Sequence, residues 1–252
     1  MILTPDIVIN IAEAEVGYLE KSRAAYNADK NCIYQKKVGA GSDNYTKYGY
    51  EMHKVYPAVM DFPAYWCDAF VDWCFYKAYE VCTAKSLLAG NFDDYTVNSS
   101  NMYKNKKAWY KTPRVGDQIF FNNGTRICHT GLVYKVDKKY VYTIEGNTSD
   151  SAEVVRNGGC VAKKKYILNY YKISGYGRPK YDVPASCAKG DYNEDVKILQ
   201  QKLMLKGYKL PKYGADSDFG NETATALKKF QADNKLKVSN ICDALCWSRL
   251  LR

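Results

Sequence analysis

Apolar and polar positions change their period twice along this chain. Residues 4–26 carry Ile7, Ile11, Ala14 and Tyr18 on one side, with Thr4 as a candidate N-cap and Pro5 at the first helical position, which predicts a helix. GAGSDNYTKYG (39–49) interrupts the pattern and reads as a loop. In YWCDAFVDWCFYKAY (65–79), positions 67, 70, 71, 74, 75 and 78 are apolar or small at i, i+3, i+4, i+7 spacing. A second helix is expected from about Pro63 and Ala64, with Cys67 in its first turn and Cys74 two turns deeper. After a polar, tyrosine-bearing connection the period shortens to two, predicting strands at 117–121, 127–136, 140–147 and 160–167. Helices followed by an antiparallel meander define an α+β class.

Three glycines and two prolines in GYGRPKYDVPASCAKGD (175–191) read as a linker. Beyond it the helical period returns. Val196, Leu199 and Leu203 share one face of a helix that ends at Gly207, Ala226, Leu227 and Phe230 share a second, and DALCWSRLL closes a third. The expected organisation is a catalytic domain over residues 1–180, a linker over 181–187 and a three-helix domain over 188–252.

Composition narrows the function less than the pattern does. The 252 residues hold nine cysteines at irregular spacing with no CxxC pair, which argues against a disulfide framework or a zinc ribbon. The formal charge is +10; residues 185–252, with 12 basic and 8 acidic side chains, contribute +4 of it. That balance suits a polyanionic partner, and nucleic acid, an anionic membrane and an acidic cell wall all qualify. No nucleic-acid motif accompanies the charge. No apolar run has the length of a membrane span, so no stable membrane association is expected. The N-terminus lacks the pattern of a signal peptide, so synthesis in the cytoplasm is expected.

The chemistry-bearing residues are few. A thiol in the first turn of a helix faces backbone N–H groups and the positive end of the helix dipole, whereas one packed in apolar surroundings stays protonated. Cys67 alone has the first position; both thiols also read as ordinary core cysteines. There are two histidines, and His129 begins a strand. If Val136 pairs with Tyr140 across a turn at 137–139, hairpin partners sum to 276. His129 then lies opposite Asn147, with Glu145 on its diagonal and on the same face. A one-residue shift of the turn spoils that match. A helix-start cysteine, and a histidine backed by a carboxylate or amide, are the parts of a thiol amidase or peptidase.

YWCDAFVDWC, PRVGDQIFF, CHTGLVYKV and TIEGNTS, in this order, resemble the CHAP family (cysteine, histidine-dependent amidohydrolase/peptidase), especially its phage endolysins. The resemblance covers roughly residues 5–180. It implies a papain-like α+β fold that cleaves amide bonds of peptidoglycan, with Cys67 as nucleophile, His129 as base, Glu145 as third member and Asn147 as a supporting or alternative orienter. DVKILQQKLMLKGYKL, DSDFGNETATALKKFQADNKLKV and CWSRLL resemble the three-helix peptidoglycan-binding domain of cell-wall hydrolases. The usual Asp-Gly before FG stands here as Ser217-Asp218. Peptidoglycan is the implied partner, acting on it at the wall after release the implied location, and a monomer the expected state.

Candidate substrate contacts are Asn44, Tyr45, Tyr48 and Trp66 in the first domain and Tyr208, Tyr213, Asp218, Phe219 and Trp247 in the second. Asp43, Glu51 and Asp61 precede Cys67 without the ligand spacing of a calcium loop, so neither metal nor cofactor is expected. The rival readings are a non-catalytic wall-binding protein and a thiol peptidase for a soluble peptide.

Overall fold

The computed structural model describes residues 2–151, 153–154 and 157–252. The first domain begins with α1 (Pro5–Glu15), α2 (Arg23–Ala28), α3 (Lys47–Val55), α4 (Cys67–Ala78), α5 (Val81–Leu87) and α6 (Thr96–Asn105). Then come β1 (Trp109–Tyr110), β2 (Gln118–Asn122), β3 (Ile127–Val136), β4 (Tyr140–Thr148), β5 (Cys160–Ile167) and β6 (Ile173–Gly177). The strands form one antiparallel sheet in the order β1-β6-β2-β3-β4-β5. The α+β class and the helices-then-sheet order are as the periodicity predicts.

The helix over 4–26 divides in two. Thr4 does cap α1, its hydroxyl accepting from Asp6 N–H, but α1 ends at Glu15 and Gly17 turns the chain with φ +87° before Ser22 caps α2. The polar connection before the strands holds α5 and α6. In α6 the sequence TVNSSNMYKN has no apolar stripe of its own; Tyr103 is fully buried and Ser99 bonds a buried carboxylate, so tertiary contacts supply what propensity lacks. Glycine-rich residues 175–177, read as linker, lie inside β6, which pairs with β2 on one side and β1 on the other.

One face of the sheet contributes Leu132 and Ile144 to a core built with α1, α3 and α4. The other buries Ile119, Phe121, Val133, Val141, Tyr166 and Tyr176. α4 is the central helix: every residue from Cys67 to Phe75 is buried, Asp68 and Asp72 included.

The second domain packs α7 (Glu194–Leu205), α8 (Asn221–Asp233) and α9 (Ala244–Leu250), with β7 (Cys187–Ala188) paired to β8 (Ile241–Cys242). Residues 181–187 do not form an exposed tether. Val183, Ala185 and Cys187 are buried, and Trp247 Nε1 donates to Ala185 O at 2.9 Å. The two domains are also joined by charge. Arg114, in the loop before β2, pairs with Asp195 of α7, a carboxylate only 2% exposed, and Asp6 of α1 accepts from the Ser186 hydroxyl at 2.6 Å.

Breaking a buried pair from one side leaves an uncompensated charge. Arg114→Ala should therefore lower the unfolding free energy by about 3 kcal/mol in urea denaturation. A change near zero means that the domains are not held through Asp195.

Candidate active site

α4 starts at Cys67 itself. Trp66 occupies the N-cap position with non-helical backbone (φ −121°, ψ 18°) and no capping side chain, and Pro63 lies in the preceding turn rather than in the helix. The Cys67 sulfur receives backbone N–H groups from Thr130 of β3 and from Asp68, which brings the thiol against the strand that carries His129. Cys67 is 5% exposed and carries a free thiol. Burial first, and then the neighbouring Asp68 carboxylate, push that thiol well above its ordinary value despite the two N–H donors. The expectation that the helix start favours a thiolate is corrected here. A helix N-terminus contributes roughly 0.3–1 kcal/mol, whereas dehydrating a charge costs several kcal/mol. Burial therefore favours the protonated form of the Cys67 thiol. Cys74 is buried beneath it, and burial raises it as well.

His129 and Glu145 are both fully buried, and His129 Nε2 lies 2.9 Å from Glu145 Oε2. Glu145 Oε1 accepts the Thr143 hydroxyl at 2.5 Å, and the Tyr166 hydroxyl reaches Oε2 at 3.3 Å. Surrounded by donors, the carboxylate accepts, so Nε2 carries the histidine proton and Nδ1 keeps its lone pair. Nδ1 has no hydrogen-bond partner among the described residues. An unpartnered buried acceptor is costly.

The register that allows this differs from the expected one. Near the turn Val136 pairs with Val141 rather than Tyr140, the one-residue shift that spoils the alignment. An irregularity between Val133 and Lys135 absorbs it, and Val133 pairs with Thr143 and Leu132 with Ile144, partners that again sum to 276. Gly131 is required next to this step, because a Cβ there would lie 2.5 Å from Glu145 Cγ. Gly146 is likewise required, since a Cβ would meet Phe70 of α4 at 2.5 Å. Asn147 does not bond His129. It sits in left-handed backbone (φ +53°), fully buried, with neither side-chain polar atom partnered among the described residues. The histidine is oriented by Glu145.

Sequence reasoning missed the polar support of the site. Asp68 Oδ2 accepts the Ser99 hydroxyl at 2.6 Å and Oδ1 accepts Gln118 Nε2 at 2.9 Å; Gln118 Nε2 also reaches Thr130 Oγ1 at 3.1 Å. This chain links the first turn of α4 to the residue whose N–H faces the Cys67 sulfur. Glu20 is a second missed group, accepting Trp66 Nε1 at 2.7 Å and the Asn44 backbone N–H, and burial raises its pKa. The signal for Asp68 was available: a carboxylate within a wholly buried stretch of helix needs partners.

The predicted substrate contacts divide. Tyr48, Trp66, Phe219 and Trp247 are corrected to core positions: each is no more than 1% exposed, and Tyr48 bonds Glu15 at 2.7 Å. Asn44 and Tyr45 are half-buried, Tyr45 stacked 4.5 Å from Tyr26. In the second domain Tyr208 bonds Asp233, while Tyr213 and exposed Asp218 share a cavity of about 390 Å³ with Gln200, Asn221 and Glu222. Asp43 accepts from Arg23 N–H, and Glu51 pairs with Lys77. Among the described residues no group of three or more His, Cys, Asp or Glu is arranged to hold a metal ion.

The arrangement is a helix-start cysteine whose sulfur meets the Thr130 N–H, next in sequence to a histidine held by a buried carboxylate, on a helix-and-sheet α+β scaffold; these are the groups that cysteine-nucleophile acyl transfer uses. Residues 59–147 match the CHAP domain family, and residues 192–250 match the family described as putative peptidoglycan binding domain. The N-acetylmuramoyl-L-alanine amidase CwlL of Bacillus licheniformis is 43% identical over 53 residues, 21% of this chain and 15% of that protein. The type VI secretion system spike protein VgrG3 of Vibrio cholerae is 48% identical over 42 residues, 17% of this chain and 4% of that protein. The chain thus spans a small part of the length of these relatives. The crystal structure of Ly7917 overlaps 73% of this chain and 64% of its own at 13% identity, with a TM-score of 0.38.

Asp68 is pushed up to about 7 from 3.8, by burial first, then by charge from Asp93 and Asp94; Asp72, one turn along α4, is raised well above its usual range. A raised folded pKa favours the protonated acid, so the stability it contributes is present below about pH 4 and lost as pH rises through about 7. Relative to the wild type, Asp68→Asn should gain stability between pH 5 and pH 8, read from urea midpoints at both. A gap that does not move with pH would assign the proton to another group.

Proposed function

We propose that this protein is a peptidoglycan hydrolase that cleaves an amide bond of the cell-wall peptide by acyl transfer to Cys67. The observation that carries the proposal is the unpartnered, buried Nδ1 of His129, its other nitrogen held by Glu145, on the strand whose Thr130 N–H meets the Cys67 sulfur. His129 Nδ1 takes the thiol proton as the sulfur attacks the carbonyl carbon. Negative charge gathers on the carbonyl oxygen beside the start of α4, where the Cys67 N–H supports it. His129 then gives its proton to the leaving amine, a thioester remains on Cys67, and water activated by the same nitrogen releases the acid. Glu145 holds the imidazole in one tautomer and stabilises its protonated form.

The match of residues 192–250 to a peptidoglycan-binding family, and the name of the amidase relative, support peptidoglycan over a soluble peptide as substrate. The second domain keeps the chain at the bacterial wall as a monomer, so that modest affinity suffices at an insoluble polymer. The bond cleaved is either the lactyl–L-alanine amide or a peptide bond of the stem or cross-link.

Digestion of purified peptidoglycan, with mass spectrometry of the new termini, tests this. Cys67→Ala should abolish release while remaining folded, and Cys74→Ala should retain it. Clearing by all three alike removes the thiol mechanism, and the termini separate amidase from endopeptidase. Glu145→Gln keeps the shape of the site but loses the charge that holds the imidazolium, and kcat should fall about 10²–10⁴-fold. A kcat within a few-fold of the wild type assigns the orienting role elsewhere.

A further inference from the structure

A cavity of about 360 Å³ opens beside the start of β3, lined by Lys104 of α6, Trp109 and Lys111 at β1, Asn122 of β2, Arg126 and Ser174, with Ile127 in its wall. No acidic side chain among the described residues lines it. Its three cations have polar or aromatic contacts but no carboxylate partner among the described residues. Lys104 Nζ lies 3.4 Å from both Ser100 Oγ and Asn101 Oδ1, and 4.8 Å over the Trp109 ring. Lys111 Nζ donates to Ser174 O at 2.9 Å. Arg126 donates to Ile127 O at 3.3 Å, with its guanidinium 5.2 Å over Tyr95. Elsewhere Lys47, Lys77, Lys163, Lys172, Arg114 and Arg178 each have a carboxylate. Three cations converging without a counter-charge leave room for an anion supplied from outside.

The cavity adjoins the reaction centre. Ile127 is two residues from His129, so at ~3.3 Å per residue its Cα lies within about 7 Å of the histidine's along β3. α6 spans both places: its Thr96 hydroxyl donates to Ile127 O at 3.3 Å, and its Ser99 bonds Asp68 beside Cys67.

Resting on the hydrolase reading, we propose that this cavity is a specificity subsite for a free carboxylate of the stem peptide. Arg126 and Lys104 bind the charge, and the Trp109 ring packs the aliphatic portion that bears it. The enzyme then prefers stems whose carboxylates are free over those in which the same groups are carboxamides. The volume of about 360 Å³ lies at the small end of ligand clefts.

The test uses a pair of soluble muropeptides that differ only in carboxylate or carboxamide, with the full chain, Arg126→Gln, Lys104→Gln and Cys67→Ala, measuring kcat and KM. Thermal midpoints check that the variants fold; both cations reach solvent and neither holds a buried carboxylate. The wild type should favour the free acid by about 10-fold in kcat/KM, mostly through KM, and each variant should reduce that ratio several-fold. Added salt should reduce it as well. A wild-type ratio near one, or ratios unchanged in both variants, overturns the subsite and leaves the hydrolase standing. If neither stem is cleaved in a Cys67-dependent way, the hydrolase reading falls, and the subsite with it.

Discussion

The hydrogen bond between His129 and Glu145 is the interaction on which the rest of the site depends. Both partners are wholly buried, and the 2.9 Å contact decides which imidazole nitrogen carries the proton. It requires β3 and β4 in one register, with an irregularity past Val133 to correct the turn, a glycine at 131 to admit the Glu145 side chain, and hydroxyls from Thr143 and Tyr166 to occupy the remaining lone pairs. A carboxylate so surrounded stays an acceptor, and the other imidazole nitrogen is left without a hydrogen-bond partner among the described residues.

Opposing influences meet at Cys67. The helix start and two N–H groups favour its anion, while burial and the adjacent Asp68 disfavour it, and burial is the larger effect. The balance favours the thiol over the thiolate. Asp68 belongs to the same arrangement: its bonds to Ser99 and Gln118, and Gln118's to Thr130, tie α4, α6, β2 and β3 together beside Cys67. Of the unpaired cations of the neighbouring cavity, Lys104 lies on the same helix α6, Arg126 directly precedes the same strand β3, and Lys111 follows β1.

The second domain is fastened to the first through a buried ion pair, a packed connection and hydrogen bonds from Trp247 and Ser186. A domain held in this way keeps a set orientation to the first, which a flexible tether would leave open.

Much of this was legible in the chain. Periodicity gave the α+β order and the tail helices, because a 3.6-residue stripe and a two-residue alternation report directly on which side of each element is buried. The family motifs pointed to Cys67, His129 and Glu145. What one-dimensional spacing does not carry is how distant segments accommodate one another. α6 is polar by composition and is helical through what it touches, the glycines at 175 and 177 are strand residues rather than linker, and Tyr48, Trp66, Phe219 and Trp247 are core although their types suit ligand contact. The inferred pairing sum recurs at Leu132–Ile144 and Val133–Thr143 although the turn itself is shifted, because an irregularity cancels the shift. The sequence by itself determined which residues could do chemistry and which elements bear them. Only the tertiary structure decided that the thiol is dehydrated, that Glu145 rather than Asn147 holds the histidine, and that three cations converge without a counter-charge, since solvation and pairing depend on neighbours brought together from far along the chain.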